Sequence, residues 1–249
     1  MIKINVFGEL LVLMCISITY VWSDCTISME AADKCGMKSM IFGNRDMNAP
    51  TNDAELDGFC AQLRKNGKCV SDFNDRCLKG NIQLAIKIAL KNGEKFVDKR
   101  CNAGKDRTEF LTHMKCLSPK EKLEPFHLCS DKHLVMLSKL KEVPKGDRIA
   151  SLCCITHLSQ DCLRQKFKAI CSEDTASYWD DSWNELVEEN MQFACSNFPN
   201  LAKCDSDMDA KVWQMIKDVA ATDDASILAQ RHKFKSEIST AMELMEMFE

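Results

Sequence analysis

The chain has 249 residues, a formal net charge of −4 and a sequence pI of about 5.8; 45% of its residues are hydrophobic and 28% are charged. A chain of this length can bury a core without the help of cross-links. Its acidic balance argues against nucleic acid as a partner, because nucleic-acid-binding domains carry basic surfaces.

Residues 1–23 have the features of a secretory signal peptide. Lys3 supplies the positively charged start, and a short apolar stretch covers residues 10–22. Glu9 keeps this run below the roughly 20 residues that a membrane-spanning helix needs, and no other segment approaches that length. We therefore expect a mature chain that begins near Asp24, is secreted to the extracellular space and keeps no membrane anchor.

The chain is rich in cysteine, with fifteen residues, of which Cys15 lies in the predicted signal peptide. The remaining fourteen are an even number, as expected for disulfides formed in an oxidising compartment. Zinc binding is the other common use of many cysteines, but the chain has no Cys-x-x-Cys motif and its five histidines are not arranged as ligand pairs. We therefore predict no metal and no cofactor. The predicted disulfide-forming residues are Cys25, Cys35, Cys60, Cys69, Cys77, Cys101, Cys116, Cys129, Cys153, Cys154, Cys162, Cys171, Cys195 and Cys204.

Twelve of these cysteines form two sets of six with nearly the same spacing. The sets are Cys35, Cys60, Cys69, Cys77, Cys101 and Cys116, and Cys129, Cys154, Cys162, Cys171, Cys195 and Cys204, at offsets of 94, 94, 93, 94, 94 and 88 residues. This repeat predicts a tandem duplication, with helical units at 35–128 and 129–222. An extension at 24–34 precedes them, and an amphipathic helix is predicted at 223–249, where Ile238, Met242 and Met245 recur at helical spacing.

Two cysteines lie outside the repeat, namely Cys25 and one of the adjacent pair Cys153 and Cys154. One belongs to the N-terminal extension and the other to the second unit. We predict that they bond to each other and hold the two units together.

The apolar pattern predicts an all-α fold with three to four helices in each unit. Segments 78–100 and 172–194 carry apolar residues at helical spacing, whereas alternating runs typical of strands are missing. A continuous helix of this length spans about 35 Å, so its flanking cysteines cannot bond to each other. The Asn-Gly pairs at 66–67 and 92–93 are predicted breaks, the second of which would kink or end the long helix.

A stripe of lysines marks the long helix of the first unit: Lys87, Lys91, Lys95 and Lys99. The equivalent positions of the second unit carry Asp181, Glu185 and Glu189. Like charges four residues apart cost an isolated helix a few tenths of a kcal/mol each. Two interpretations remain open: both faces are simply solvated, or the stripe meets a partner, which is either the acidic helix of the other unit or an external anionic surface.

One segment resembles a catalytic motif. Residues 153–157, Cys-Cys-Ile-Thr-His, resemble the Cys-Cys-x-x-His-Asp helix of calcium-dependent secreted phospholipases, in which the histidine is the general base and the aspartate holds calcium. Here Leu158 replaces that aspartate, and no glycine-rich loop precedes it. A degenerate hydrolase using His157 is therefore the least favoured interpretation, and we expect no enzyme.

Trp179 and Trp183 lie one helical turn apart, which indicates either core packing or an aromatic ligand pocket.

The spacings Phe-Cys-x8-Cys-x7-Cys at 59–77 and Leu-Cys-x8-Cys-x8-Cys at 152–171 resemble those of secreted, cysteine-rich helical proteins from arthropod haemolymph, saliva and venom, including the haemolymph glycoprotein type. The resemblance implies an extracellular, non-enzymatic role. The chain has no Asn-x-Ser/Thr sequon, which departs from the glycoprotein type and favours a gland or venom product.

We therefore predict a secreted binding or effector protein, of the toxin-like venom or salivary type, that acts on an extracellular receptor, channel or host protein. The alternative is a haemolymph-type carrier of a small apolar ligand, held near Trp179 and Trp183.

Overall fold

In a computed structural model of the protein, residues 25–37 and 41–230 are described. The predicted signal peptide and the positions Ile238, Met242 and Met245 lie outside these residues. The described part of the chain is helical and contains no strand, so the all-α prediction is confirmed. The helices are α1 (Met29–Met37), α2 (Asp53–Cys77), α3 (Gly80–Cys101), α4 (Lys105–Lys115), α5 (Glu124–Lys139), α6 (Arg148–Ile170), α7 (Glu173–Ala194), α8 (Leu201–Asp207), α9 (Ala210–Ala221) and α10 (Ala225–Leu228), with short 3-10 turns at Lys120–Leu123, Leu140–Glu142 and Lys145–Asp147.

The predicted breaks at the two Asn-Gly pairs are wrong, because α2 and α3 run through them without interruption. A glycine inside a helix costs about 1 kcal/mol relative to alanine, and contacts made by the neighbouring asparagines offset that cost. The side chain of Asn66 is buried and accepts a hydrogen bond from Gln62 (2.6 Å). The side chain of Asn92 donates to the backbone carbonyl of Leu186 on α7 (3.3 Å).

The first hydrophobic core draws its residues from both predicted units. Its buried members are Ile41, Ala49, Leu56, Cys60, Cys101, Phe110, Leu111, Met114, Leu117, Leu123, Phe126, Phe167 and Ala176. They come from segment 41–50 and from helices α2 to α7 with the turns between them. The predicted boundary at residues 128 and 129 falls inside α5, and this core joins residues from both sides of that boundary.

A second core lies between α5, α6, α8 and α9. Its buried members are Val135, Met136, Leu137, Leu140, Val143, Cys154, Ile155, Cys204, Trp213, Ile216 and Val219. Helix α9, which follows the last cysteine, lies with its apolar side against α5 and α6.

The predicted disulfide bonding is confirmed, since all fourteen cysteines pair. The bonds are Cys25–Cys77, Cys35–Cys69, Cys60–Cys101, Cys116–Cys171, Cys129–Cys162, Cys153–Cys195 and Cys154–Cys204. As expected from the length of α3 and α7, the cysteines that flank each long helix bond to other helices or segments and never to each other.

The predicted bond between Cys25 and Cys153 or Cys154 is wrong. Cys25 lies just before α1 and bonds to Cys77 at the end of α2. Cys153 and Cys154 are neighbours on α6 and point in different directions, so that one reaches Cys195 after α7 and the other reaches Cys204 in α8. The link across the predicted unit boundary is instead Cys116–Cys171.

The pairing follows one order twice. From Cys25 to Cys101, six cysteines pair first with fifth, second with fourth and third with sixth. From Cys116 to Cys195, with Cys153 counted as the third, six cysteines pair in the same order. In this order Cys153 rather than Cys154 corresponds to Cys60, and Cys154–Cys204 is the additional bond.

Candidate partner-binding surface

The predicted lysine stripe lies on the solvent side of α3. Lys87, Lys91, Lys95 and Lys99 are all exposed. At 1.5 Å per residue they cover about 18 Å of the helix axis. Helix α3 packs against α2, α4 and α7, so its remaining side is open to solvent.

The C-terminal end of the stripe meets the acidic helix α7. The ammonium group of Lys99 lies 3.2 Å from a carboxylate oxygen of Glu185 on α7. The guanidinium group of Arg100, whose side chain is 5% exposed, donates to the other oxygen of Glu185 (2.9 Å) and to the hydroxyl of Ser182 (2.9 Å). It also donates to the hydroxyl of Tyr178 (3.2 Å) and lies 3.6 Å from the ring centroid of Phe96.

The electrostatics of Glu185 reflect this contact. Partial burial acts to raise the pKa of Glu185, but hydrogen bonds and ion pairs with Arg100 and Lys99 outweigh burial, and the pKa is lowered. Glu185 is therefore ionised at neutral pH, and its single negative charge is shared between Lys99 and Arg100. Arg100 was not singled out from the sequence, because a single basic residue beside a lysine stripe gives no sign that it is buried.

The other three lysines differ from Lys99. Lys87, Lys91 and Lys95, here called the α3 stripe, form no ion pair with any side chain that the structure describes. They share one face of the helix with Leu84, which is 58% exposed. The α3 stripe is therefore a row of three solvent-facing positive charges about 12 Å long that begins next to an exposed leucine.

The acidic helix α7 forms more ion pairs within the molecule than the α3 stripe does. Asp180 pairs with Arg164 (2.7 Å), Glu173 pairs with Arg164 (2.8 Å) and Lys168 (2.6 Å), and Glu185 pairs as above. Of the three predicted acidic counterparts, Asp181 is exposed and the side chain of Glu189 lies outside the described residues. Three of the five acidic residues of α7 whose side chains are described, namely Glu173, Asp180 and Glu185, thus form ion pairs within the molecule, whereas none of the three lysines of the α3 stripe does so with a described side chain.

The histidine of the phospholipase-like segment is engaged in structural contacts. His157 is half-buried, and its Nε2 donates to the backbone carbonyl of Phe198 (2.9 Å). The following residue, Leu158, packs against the second core. A histidine whose Nε2 carries a proton bound to a carbonyl cannot accept a proton at that atom. Among the described residues there is also no group of three or more histidine, cysteine or acidic side chains that could hold a metal ion.

Two further histidines contact hydroxyl groups inside the protein. His133 lies 2.6 Å from the hydroxyl of Ser159, which donates its own proton to the carbonyl of Ile155 (2.9 Å). Burial lowers the pKa of His133 to about 4, so the ring is neutral at pH 7. His113 lies 3.0 Å from the hydroxyl of Thr175 and is itself buried. Both contacts join helices and satisfy buried polar groups.

The two tryptophans of α7 occupy different environments. Trp179 belongs to the first core and stacks on Phe167 with a centroid distance of 5.1 Å, in agreement with the core-packing interpretation. Trp183 is half-buried. The indole nitrogen of Trp179 is buried without a hydrogen-bond partner. Phe42, which the sequence gave no reason to select, lies against Trp179 at 5.3 Å.

No protein-family model, curated protein or solved structure matches the chain. No helix among the described residues is both long enough and apolar enough to cross a membrane. The resemblance to arthropod haemolymph, saliva and venom proteins stays a prediction from cysteine spacing.

Proposed function

We propose that the protein is a secreted, non-enzymatic binding protein whose α3 stripe engages an acidic surface of an extracellular partner protein. The seven disulfides support an oxidising, extracellular location, since such bonds persist outside the cytosol. The observation that carries the proposal is the contrast between Lys99, which forms an ion pair with Glu185, and the three exposed lysines of the α3 stripe, which form none with the described side chains. Within this class, the arthropod resemblance favours a venom or salivary effector that acts on a receptor, channel or host protein.

The chemistry of the surface favours a protein partner. An exposed ion pair contributes up to about 1 kcal/mol, so three lysines alone give modest affinity. Their main effect is to attract an acidic partner and to orient it, which raises the association rate at low salt. Leu84 adds an apolar contact beside Lys87, which suits a protein surface that combines carboxylates with apolar side chains.

Charge reversal tests the proposal. The triple variant Lys87→Glu, Lys91→Glu, Lys95→Glu is compared with a matched control that reverses three other exposed lysines, Lys65, Lys120 and Lys145. Both variants change the net charge equally. Surface plasmon resonance then measures binding to an immobilised helical peptide. The peptide has glutamates at every fourth position and leucines beside them. The same measurement is made on vesicles containing phosphatidylserine.

The expected result is salt-dependent binding of the wild-type protein to the peptide, weakened about tenfold by reversal of the α3 stripe and unchanged in the control. A peptide with lysines in place of the glutamates should bind the variant with the reversed α3 stripe more tightly than it binds the wild-type protein. Equal losses in the two variants, no peptide binding, or binding only to the vesicles would each contradict a protein partner at this surface.

We also infer that the two halves arose by tandem duplication, in a register that begins at Cys25 rather than at Cys35. The common order of disulfide pairing supports this, because matched cysteines from Cys25 to Cys101 and from Cys116 to Cys195 lie 91, 94, 93, 93, 94 and 94 residues apart. The contact between Asn92 and Leu186 adds support, since it joins α3 and α7 at positions 94 residues apart. Each unit is then three helices stapled by three disulfides.

A further inference from the structure

An aromatic cluster fills the space between four helices and the segment that joins α1 to α2. Phe110 from α4, Phe126 from α5, Phe167 from α6 and Trp179 from α7 line it. Phe42, from the non-helical segment 41–50, is inserted among them. Its ring lies 5.3 Å from that of Phe126, 5.5 Å from that of Phe167 and 5.3 Å from that of Trp179.

Phe42 differs from the three helical phenylalanines of the cluster, although Trp179 is likewise only half-buried. Phe110, Phe126 and Phe167 are 3%, 0% and 1% exposed and lie on helices, whereas Phe42 is only half-buried and lies on irregular backbone. Its side chain therefore reaches the protein surface. A change of its χ1 rotamer toward solvent would vacate a space of phenyl size without unfolding any helix.

Polar contacts at the edge of the cluster hold the backbone around Phe42. His127 donates from Nδ1 to the carbonyl of Phe42 (2.8 Å). Arg45 pairs with Asp131 (2.9 Å) and Glu124 (3.0 Å), and its own side chain is 40% exposed. These contacts fix the backbone, while the ring of Phe42 is held by dispersion and apolar burial alone. The ring can therefore be exchanged for another ring while the backbone stays in place.

One atom of the cluster is unsatisfied. The indole N–H of Trp179 is buried without a hydrogen-bond partner, and the phenylalanine rings that contact Trp179 carry no oxygen or nitrogen acceptor. Buried indole N–H groups usually find a partner, and an unsatisfied donor costs about 1–3 kcal/mol. A guest with a hydrogen-bond acceptor would remove this cost, which Phe42 cannot do.

We propose that this cluster is a binding site for a small apolar ring compound that bears a hydrogen-bond acceptor, and that Phe42 occupies the site in the ligand-free protein. The guest would stack among Phe126, Phe167 and Trp179 and accept a hydrogen bond from the indole nitrogen. The site is separate from the α3 stripe and does not depend on the function proposed for it. It gives the carrier interpretation of the sequence a definite location and ligand class.

Two probes of nearly equal size test the site: acetophenone, which has a carbonyl oxygen, and ethylbenzene, which does not. Their binding to the mature, disulfide-intact protein is followed through the indole N–H signal of Trp179 in two-dimensional nuclear magnetic resonance. The signal is assigned with Trp179→Phe. We expect the wild-type protein to bind acetophenone about fivefold to tenfold more tightly than ethylbenzene, and Trp179→Phe to abolish the difference.

Variants of Phe42 separate a native site from an engineered cavity. Phe42→Ala and the milder Phe42→Leu should tighten binding of both probes, because they remove the competing ring. Phe59→Ala is the matched control, since Phe59 is half-buried in the same core but contacts Phe110 at 6.4 Å rather than Trp179. Binding to the Phe42 variants without any binding to the wild type, or equal affinity of the wild type for both probes, would overturn the proposal.

Discussion

Replacement of Arg100 by alanine tests whether the contact between α3 and α7 stabilises the whole molecule. The side chain of Arg100 is 5% exposed and donates to Tyr178, Ser182 and Glu185. Removal of one partner from a buried, hydrogen-bonded ion pair costs about 3–5 kcal/mol. Two features act in opposite directions: Glu185 is 34% exposed and keeps Lys99, which reduces the cost, while the lost cation–π contact adds about 1 kcal/mol.

We therefore expect Arg100→Ala to lower the free energy of unfolding by about 3 kcal/mol, which corresponds to a fall in Tm of about 6–12 °C for a chain of this size. Arg100→Lys should cost less, because it keeps the charge but loses the planar group that reaches several acceptors. The assay is urea unfolding with the disulfides intact, with Lys99→Ala as the control for an exposed partner of the same carboxylate. A loss below about 0.5 kcal/mol for Arg100→Ala would refute the reasoning, as would equal losses for the two alanine variants.

Three further predictions concern pH and cross-links. The pKa of Glu185 is lowered in the folded protein, so the stabilisation that ionised Glu185 gives is complete above its unfolded pKa of 4.5 and is lost as the pH falls through its folded pKa. The difference in unfolding free energy between wild type and Glu185→Gln should therefore shrink below about pH 4.5. A difference that stays constant with pH would contradict this. Burial lowers the pKa of His133 from 6.5 to about 4, so as the pH falls the unfolded chain is protonated at this residue before the folded protein is. The free energy of unfolding should therefore decrease between pH 6.5 and about pH 4. A nuclear magnetic resonance titration that gives His133 a pKa near 6.5 would show that the ring is solvated. Removal of the additional disulfide with Cys154→Ala and Cys204→Ala opens a loop with a sequence separation of 50 and should lower the unfolding free energy by about 2–4 kcal/mol, and an unchanged urea midpoint would indicate that this bond is not needed.

The local elements could be predicted because their signals are local. Apolar residues at helical spacing indicated α3 and α7, and the length of such helices excluded a bond between Cys77 and Cys101 or between Cys171 and Cys195. The even number of cysteines predicted complete disulfide pairing. These inferences need only the geometry of the helix and the chemistry of the residues.

Other features depended on contacts between elements that are distant in the chain. Cys153 and Cys154 are equivalent in sequence terms, and only the packing of α7 and α8 against different sides of α6 decides which partner each one reaches. The Asn-Gly pairs were expected to break helices, but Asn92 lies where α7 crosses α3 and gains a hydrogen bond there.

The sequence by itself determined an all-helical, disulfide-bonded chain with a row of lysines on one helix, because periodicity and residue type act over a few turns. Only the tertiary structure decided that Lys99 is paired with an acidic residue while Lys87, Lys91 and Lys95 are not, since α7 reaches Lys99 through Glu185. The same packing placed Phe42 beside Trp179 and left an indole N–H without a partner. Burial and charge pairing arise from surfaces brought together by folding, and their free energies depend on neighbours that no local pattern specifies.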